Sequence, residues 1–247
     1  MPMRFLIEPD SNGGTLAPGD QIRVEAERAH YLARVMRLKR GAVVSCFDGS
    51  GGAFNATLTN HSAKHCELEV TEIMPTAQPP LCTLTLGLSL LKGQAMDRAL
   101  QQATELGATD ITLVNARRSN INFSGNAEGR QDNKMRHWRK IITGACEQSG
   151  RLYIPRLHGP VSAQEAIEAA KQAQIIVFDP CGEPLPRELS PCDRLILIGP
   201  EGGWEEAELA LFESSAVKIH RFGKNVLRAE TSPAVALALV QHIQGWE

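Results

Sequence analysis

Hydrophobic and polar positions follow two different patterns along the 247-residue chain. In the first 74 residues, short runs rich in β-branched and aromatic residues are separated by turn residues, which is typical of strands. These runs predict strands at 3–7, 21–25, 42–48, 53–60 and 66–74. Apolar residues at 31, 32, 35 and 36 instead recur at helical spacing and predict one helix over 28–38. The pattern therefore indicates a small β-barrel-like domain.

The pattern changes after a segment at 75–80, which holds three prolines and is the best candidate for a linker. Beyond it, apolar runs of strand length alternate with segments of helical periodicity. The predicted strands are 84–90, 110–115, 174–178, 195–198 and 217–220, and the predicted helices are 94–106, 134–148, 163–171, 205–214 and 233–244. Such alternation is typical of an α/β domain whose parallel sheet is covered on both faces. We therefore divide the chain into a domain at 1–74, a linker at 75–80 and a second domain at 81–247.

Composition narrows the class of protein. Hydrophobic residues make up 43% of the chain, but no run of 18 apolar residues predicts a membrane span. The first ten residues lack the apolar core and cleavage pattern of a secretory signal. The six cysteines form no C-x-x-C pair and lie in apolar runs, so we expect reduced, buried thiols in a cytoplasmic protein. His61 and His65 stand four residues apart without a third ligand nearby, so no metal site is expected.

Charge is segregated along the chain although the net charge is only −2. Residues 28–40 hold five lysines and arginines and no acid, and residues 117–156 hold nine against three acids. Residues 178–216 reverse the balance, with nine acids against two arginines. A nearly neutral total can therefore hide a basic face, which is what binding to a phosphate backbone requires. The alternative is that these runs are solvated helix surface.

Two glycine-bearing loops, at 198–203 and 222–232, each follow a predicted buried strand. Open α/β sheets bind ligands at the carboxyl ends of their strands, so both loops are candidates for one ligand site. Neither loop has the glycine spacing of a Walker or a Rossmann phosphate loop. Acids at 201, 205, 206 and 208 would occupy the place where an anion would sit at the following helix start. The first loop is therefore a poor phosphate site and a better site for a neutral or cationic ligand.

Arg228 lies at the mouth of the second loop and is its one arginine. We expect it to have a functional role, and the alternative is an ion pair with Glu230 or Glu201. The helix that follows is apolar on every side over 234–240, which predicts burial in the core or against another chain.

Several motifs together carry a resemblance to a known family. They lie at 30–41, 92–97, 104–107, 118–119, 147–155, 198–204 and 222–233. With them the chain resembles the SPOUT class of knotted methyltransferases and, within it, the family that methylates N3 of a uridine in small-subunit ribosomal RNA (uridine 1498 in the usual 16S numbering). Asn225 and Ser232 depart mildly from the family pattern, which often has a basic residue and alanine at these positions.

The resemblance implies a deep trefoil knot in the second domain, a PUA-like first domain that helps to hold RNA, and a homodimer. It also implies S-adenosylmethionine as the cofactor, and 16S ribosomal RNA, on the 30S subunit, as the partner. The residues that it places at the cofactor are Phe178, Asp179, Pro180, Leu197, Ile198, Gly199, Glu201, Gly202, Gly203, Phe222, Gly223, Val226, Leu227, Arg228 and Thr231.

Catalytic and RNA-binding residues are hypotheses built on this resemblance. Arg228 is expected to stabilise negative charge on the uracil or to grip a phosphate. Glu201 is a candidate base, with Glu147 or water as alternatives. The expected RNA contacts are Arg4, His30, Arg34, Arg37, Lys39, Arg117, Arg118, Arg136, Arg139 and Arg151. The competing functions are a non-catalytic ribosome-assembly factor and a ribose 2′-O-methyltransferase; a nicotinamide dehydrogenase is a distant third because the Rossmann fingerprint is missing.

Overall fold

The computed structural model describes residues 4–7, 16–32, 36, 38–61, 65–119, 128–170 and 172–245. The chain divides into two compact units. The first unit comprises Met1–Pro79 together with Cys146–Ile154, and the second comprises Pro80–Ala145 together with Pro155–Glu247.

The first unit is built on a five-stranded sheet in the order β1-β3-β4-β5-β2. Its strands are β1 Arg4–Leu6, β2 Gln21–Glu25, β3 Val43–Phe47, β4 Ala53–His61 and β5 His65–Ile73, with helix α1 at Ala26–His30. Neighbouring strands are antiparallel except β1 and β3, which are parallel. The strands alternate buried with more exposed positions, and most of the buried side chains form one core, while Leu6 and Phe47 cluster with Cys146. The predicted strands are confirmed. Helix α1 begins before the helix predicted over 28–38 and ends at His30, and residues 33–35 and 37 of that prediction lie outside the described residues.

Residues 146–154 belong to the first unit although the sequence pattern continues the second domain through them. The Glu147 carboxylate accepts hydrogen bonds from Arg28 Nη1 at 2.7 Å and from the Leu6 amide at 3.1 Å. Cys146 is buried beside Leu6, and burial raises the pKa of its thiol to about 11. These contacts join residues that are far apart in the sequence, so a local sequence pattern cannot predict them.

The second unit is built on a six-stranded sheet in the order β11-β9-β10-β6-β7-β8, in which all described pairs are parallel. The strands are β6 Leu84–Ser89, β7 Asp110–Val114, β8 Arg156–Val161, β9 Gln174–Pro184, β10 Arg194–Ile198 and β11 Lys218–Arg221. The helices are α2 Gln94–Glu105, α3 Glu128–Ser149, α4 Ala163–Ala169, α5 Glu206–Ser214 and α6 Ser232–Gln244. This confirms the predicted parallel α/β domain; the knot stays a prediction.

One irregularity of the sheet shapes its carboxyl edge. Strand β9 pairs with β11 through Ile219 and Val177, but the next residue, His220, pairs with Glu183. Residues 178–182 therefore bulge out of β9 between two consecutive partners on β11. Gly182 lies so close to β11 that a Cβ there would sit 2.7 Å from the His220 backbone. The bulge thus depends on a glycine.

Membrane spanning has no support from the helices that are described. Within those parts of the chain, none is both long enough and apolar enough to cross a bilayer.

Candidate active site

A cleft of about 520 Å³ lies at the carboxyl edge of β9, β10 and β11 in the second unit. The two predicted glycine loops and the β9 bulge form its walls. The residues that line it are Arg118, Phe178, Asp179, Pro180, Cys181, Ile198, Gly199, Pro200, Glu201, Gly202, Gly203, Trp204, Glu206, Leu209, Arg221, Phe222, Gly223, Asn225, Val226, Leu227, Ala229 and Ser232.

The loop at 198–204 is anchored from below by Trp204. The indole is 2% exposed, meets the Phe212 ring edge-on at 5.0 Å and donates a hydrogen bond from Nε1 to the Phe178 carbonyl at 3.3 Å. A Cβ at Gly199 would sit 3.1 Å from the same indole nitrogen, a tight contact that glycine avoids. Gly203, with a φ of +69°, completes the turn. This wall of the cleft is consequently backbone held in place by one buried aromatic side chain.

The second loop meets the β9 bulge through two aromatic rings. Phe222 and Phe178 stack with their centroids 4.2 Å apart and their planes inclined by 8°. Beyond this contact the loop is open to solvent, and Val226 is 76% exposed. The stack therefore fixes the base of the second loop while its tip stays accessible.

The charged groups that line the cleft are mainly acidic, as the sequence indicated. Asp179, Glu201 and Glu206 face it. The two arginines of the lining donate to backbone carbonyls, Arg118 to Gly202 at 3.2 Å and Arg221 to Gly182 at 2.6 Å. A cleft with this lining suits a ligand that carries positive charge better than a phosphate.

Cys181 is exposed and lines the cleft, so the expectation of buried thiols is wrong for this residue. Its interaction with the Asp179 carboxylate, together with partial burial, raises the pKa of the thiol. The Cys181 thiol is therefore protonated near neutral pH and a weak nucleophile.

Arg228 lies beside the cleft rather than in its lining, and its side chain is exposed. Its carbonyl accepts hydrogen bonds from the Thr231 amide at 2.9 Å and from the Ser232 amide at 3.0 Å. The two carboxylates considered as its partners are engaged elsewhere: Glu230 pairs with Arg98 at 3.5 Å, and Glu201 accepts from the Lys92 amide at 3.2 Å. Within the described ranges, no ion pair of the Arg228 guanidinium is found.

Most residues that the resemblance places at the cofactor line the cleft. Leu197, Arg228 and Thr231 do not: Leu197 is fully buried in β10, and Thr231 is exposed at the start of α6. The sequence analysis did not assign Cys181 or Arg221 to the site. Cys181 lies in β9 directly after Pro180, and Arg221 lies in β11 directly before Phe222. Their position next to predicted cofactor residues is the feature of the sequence that could have identified them.

The expected RNA contacts are distributed over both units. In the first unit His30 and Lys39 are exposed, whereas Arg4 donates to the Gly150 carbonyl at 2.9 Å and Arg151 is partly buried, which lowers its pKa. Arg34 and Arg37 lie outside the described residues.

The expected RNA contacts of the second unit are all exposed. Arg136 and Arg139 lie on α3, and Arg117 pairs with Glu205 at 3.1 Å. Arg118 is the member of this set that lines the cleft. Glu147, the alternative base, lies in the first unit and outside the lining.

The described parts of the chain contain no set of ligands for a metal ion. No group of three or more His, Cys, Asp or Glu side chains there could hold one.

Comparison with known proteins extends the description. Residues 77–241 match the family model described as the RNA methyltransferase domain, and residues 24–71 match that of the RNA methyltransferase PUA domain. The ribosomal RNA small subunit methyltransferase E of Bacillus subtilis is 27% identical over 97% of this chain and 96% of its own length. The protein of the same name from Synechocystis is 28% identical over 89% of this chain and 72% of its own.

Two solved structures are similar over nearly the whole chain. A methyltransferase from Legionella pneumophila, in complex with the bound cofactor SAM, has a TM-score of 0.88 and 26% identity and covers 98% of both chains. A ribosomal RNA small subunit methyltransferase E from Neisseria gonorrhoeae, bound to S-adenosyl methionine, has a TM-score of 0.83 with the same identity and coverage.

Proposed function

Since the chain belongs to the RNA methyltransferase family, we propose that it transfers a methyl group from S-adenosylmethionine to N3 of a uridine in 16S ribosomal RNA, uridine 1498. The observation that carries the proposal is that both predicted loops wall one cleft, beside which Arg228 lies without an ion pair among the described residues. The proposed substrate is the assembled 30S subunit, and we expect a cytoplasmic location.

The lining of the cleft fits S-adenosylmethionine. Its volume of about 520 Å³ lies in the range of small-molecule sites. Gly199, Gly202 and Gly203 line the cleft with backbone, whose amides and carbonyls can fix the edge of a planar base. Asp179 and Glu201 provide negative charge for a cationic ligand. When bound, this cofactor supplies an electrophilic methyl group on a sulfonium.

Arg228 is the residue proposed to stabilise charge on the uracil. Removal of the N3 proton places negative charge on O2 and O4, and a fixed cation lowers the energy of that anion. The guanidinium is free of carboxylate partners within the described residues, while its backbone is held by the turn at 228–231. Arg228 can therefore donate to a uracil oxygen without first breaking an ion pair.

Glu201 is the proposed acceptor of the N3 proton. Its carboxylate lines the cleft and is exposed, and one oxygen takes the Lys92 amide hydrogen. Its remaining lone pairs are available to a proton donor. Positioning of the uracil against the cofactor supplies most of the acceleration, roughly 7–11 kcal/mol.

RNA binding is proposed for the basic residues named above, with Arg118 closest to the chemistry because it lines the cleft. They act mainly on phosphates, so affinity for 30S subunits should fall steeply with salt. A binding constant that barely changes between low and moderate salt would contradict this assignment.

A homodimer is proposed from the two faces of α6. Ala236, Leu237 and Val240 are buried within the chain, whereas Leu239 and Ile243 on another face are only partly covered. A second copy would cover these side chains. Analytical ultracentrifugation should show a dimer that Leu239→Lys converts to monomer.

The proposed reaction is tested by incubating undermethylated 30S subunits with the protein and methyl-labelled S-adenosylmethionine. Mass spectrometry of the digested RNA should find the label in 3-methyluridine from the expected site. Label on a ribose would favour the 2′-O-methyltransferase. Calorimetric binding of 30S subunits without binding of S-adenosylmethionine would favour the assembly factor.

A further inference from the structure

We propose that Arg98 is a positioning residue that holds the Glu230 carboxylate away from Arg228 and so keeps the Arg228 guanidinium available to the substrate. The inference rests on the proposed function, because it assigns Arg228 to the reaction. It concerns residues of this chain that lie in two different elements, helix α2 and the turn before helix α6.

Arg228 and Glu230 carry opposite charges in the same turn, at 228–231. Glu230 stands two residues after Arg228, and the Arg228 carbonyl accepts from Ser232 Oγ at 3.1 Å as well as from the two amides of the turn. Opposite charges attract each other more strongly where water is partly excluded. Glu230 is only 18% exposed, so its carboxylate requires a partner.

Arg98 provides that partner from α2. Its Nη2 lies 3.5 Å from Glu230 Oε1, and its own side chain is 57% exposed. Without Arg98, the cation of the same turn that could replace it is Arg228. Pairing with Glu230 would then neutralise the charge that the substrate is expected to meet.

Helix α2 is fixed firmly enough to hold this arrangement. Met96, Ala99 and Leu100 are buried, and the C-terminal end of the helix accepts a hydrogen bond from Gln241 of α6 at the Leu106 carbonyl. Asp97, next to Arg98, pairs with His137 at 3.0 Å. Arg98 therefore projects from a helix that is tied both to α3 and to α6.

The same segment also reaches the first loop, since the Lys92 amide donates to Glu201 Oε1. Both carboxylates that could neutralise Arg228 are thus occupied by residues at 92–98. An exposed ion pair contributes little to folding stability, so a purely structural role for Arg98 predicts only a small effect of its removal.

The test is a cycle of neutral substitutions in the full-length protein, measured by single-turnover methylation of 30S subunits. Arg98→Gln should lower the rate about tenfold because Glu230 is released. Glu230→Gln should stay within about twofold of wild type. The double variant Arg98→Gln/Glu230→Gln should recover to within about threefold, since no carboxylate remains to neutralise Arg228. Equal losses in both single variants and in the double variant would show a scaffold pair and overturn the proposal.

A matched control is Arg156→Gln, which removes a shorter ion pair, 2.7 Å from Asp110, at the opposite edge of the same sheet. It should leave the rate within about twofold. A tenfold loss in this control would mean that any lost ion pair impairs the enzyme, and would overturn the specific role of Arg98.

A second measurement separates this inference from the proposed reaction. The Arg228 Nε–Hε signal in ¹⁵N NMR, assigned by its loss in Arg228→Lys, should shift in Arg98→Gln and return in the double variant. A shift in a protein that methylates no RNA would refute the proposed function and leave the ion-pair exchange standing. An unchanged signal together with an unchanged rate in Arg98→Gln would overturn the inference.

Discussion

In the six-stranded sheet, the charged side chains at the amino ends of the strands (the amino edge) differ in role from those at the carboxyl ends (the carboxyl edge). At the amino edge, Asp110 accepts from Arg156 Nε at 2.7 Å and faces His158 Nε2 at 3.2 Å. At the carboxyl edge, Arg228 has no ion pair within the described residues, and Glu201 meets a backbone amide. The amino edge commits these charges to the fold, whereas the carboxyl edge leaves Arg228 and Glu201 available to a ligand.

Arg194 extends the pattern of the amino edge. Its side chain is 1% exposed, and its guanidinium donates to Gln174 Oε1 and to the Ser190 carbonyl, both at 2.6 Å. Burial lowers its pKa. The comparison teaches that charge alone does not identify a functional residue; what matters is whether the charged atoms already have partners. Substitutions at the carboxyl edge should therefore change activity, and those at the amino edge should change stability.

The largest expected effect is a loss of stability at the carboxyl edge. It is an exception to the comparison, because Trp204 lies at this edge and stabilises the fold. Trp204→Ala removes a buried indole that packs on Phe212 and supports Gly199, and should lower the free energy of unfolding by about 3–5 kcal/mol. Urea denaturation followed by circular dichroism measures it. Trp204→Phe, which keeps a ring, should lose clearly less. An unchanged midpoint in Trp204→Ala would mean that Trp204 does not anchor the loop.

Arg228→Ala tests the comparison most directly. If Arg228 stabilises the uracil anion, the single-turnover rate should fall about 10²–10³-fold, equivalent to about 2.7–4 kcal/mol. Stability should change by less than about 0.5 kcal/mol because the side chain is exposed. Lys224→Ala, an exposed cation of the same loop, is the matched control and should stay near wild type. A rate within about twofold in Arg228→Ala would leave Arg228 without a role in the chemistry.

The sequence predicted the fold well wherever local pattern determines an element. The parallel α/β domain, the β-rich first domain and the resemblance to RNA methyltransferases are confirmed. Strand β8 was not predicted because its Gly159 and Pro160 are unusual within a strand. Both residues are tolerated there because β8 is an outer strand of the sheet. Strand β9 is longer than predicted. Its residues 179–182 include proline and glycine, which are typical of a turn, yet Glu183 and Pro184 beyond them pair with β11.

The candidate site was predictable only in part, for the same reason. Its glycine loops are local signals, since Gly199 and Gly203 meet steric demands of their own turns. Cys181 enters the cleft through the bulge of β9, which depends on pairing with a distant strand. The ion pair between Arg98 and Glu230 joins helix α2 to the turn before α6, and no spacing in the sequence predicts it. Local chemistry therefore identified the loops, and tertiary pairing decided which of their charges remain free.

A smaller effect is expected at the base of the second loop. Phe222→Ala removes the stack with Phe178, which is worth about 0.5–1.5 kcal/mol beyond the buried area. The affinity for S-adenosylmethionine should weaken about tenfold because the two walls of the cleft lose their contact, and calorimetry measures it. Phe222→Tyr keeps the stack and should bind nearly as wild type. Equal affinity in Phe222→Ala would show that the second loop does not hold the cofactor.

The smallest effect belongs to the amino edge, where Asp110→Asn should change stability and leave the methylation rate unaltered. Burial by itself would raise the pKa of Asp110, but the hydrogen bonds from Arg156 and His158 outweigh it and hold the pKa below its ordinary value. A carboxyl group with a lowered folded-state pKa adds stability above its unfolded pKa, about 4, and loses it as the pH falls through the folded value. Because Arg156 is 73% exposed, solvent screening limits the expected loss to about 1 kcal/mol at pH 7.

That pH dependence is what ties Asp110 to the fold rather than to a ligand. Urea denaturation at pH 7 should show a lower free energy of unfolding for Asp110→Asn than for the wild type. This difference should shrink as the pH falls below about 4, because the wild-type carboxyl group then becomes neutral like the asparagine amide. A difference that persists unchanged at pH 3 would trace to packing instead of charge. A loss of methylation at pH 7 without a loss of stability would place a functional group at the amino edge and break the contrast between the two edges.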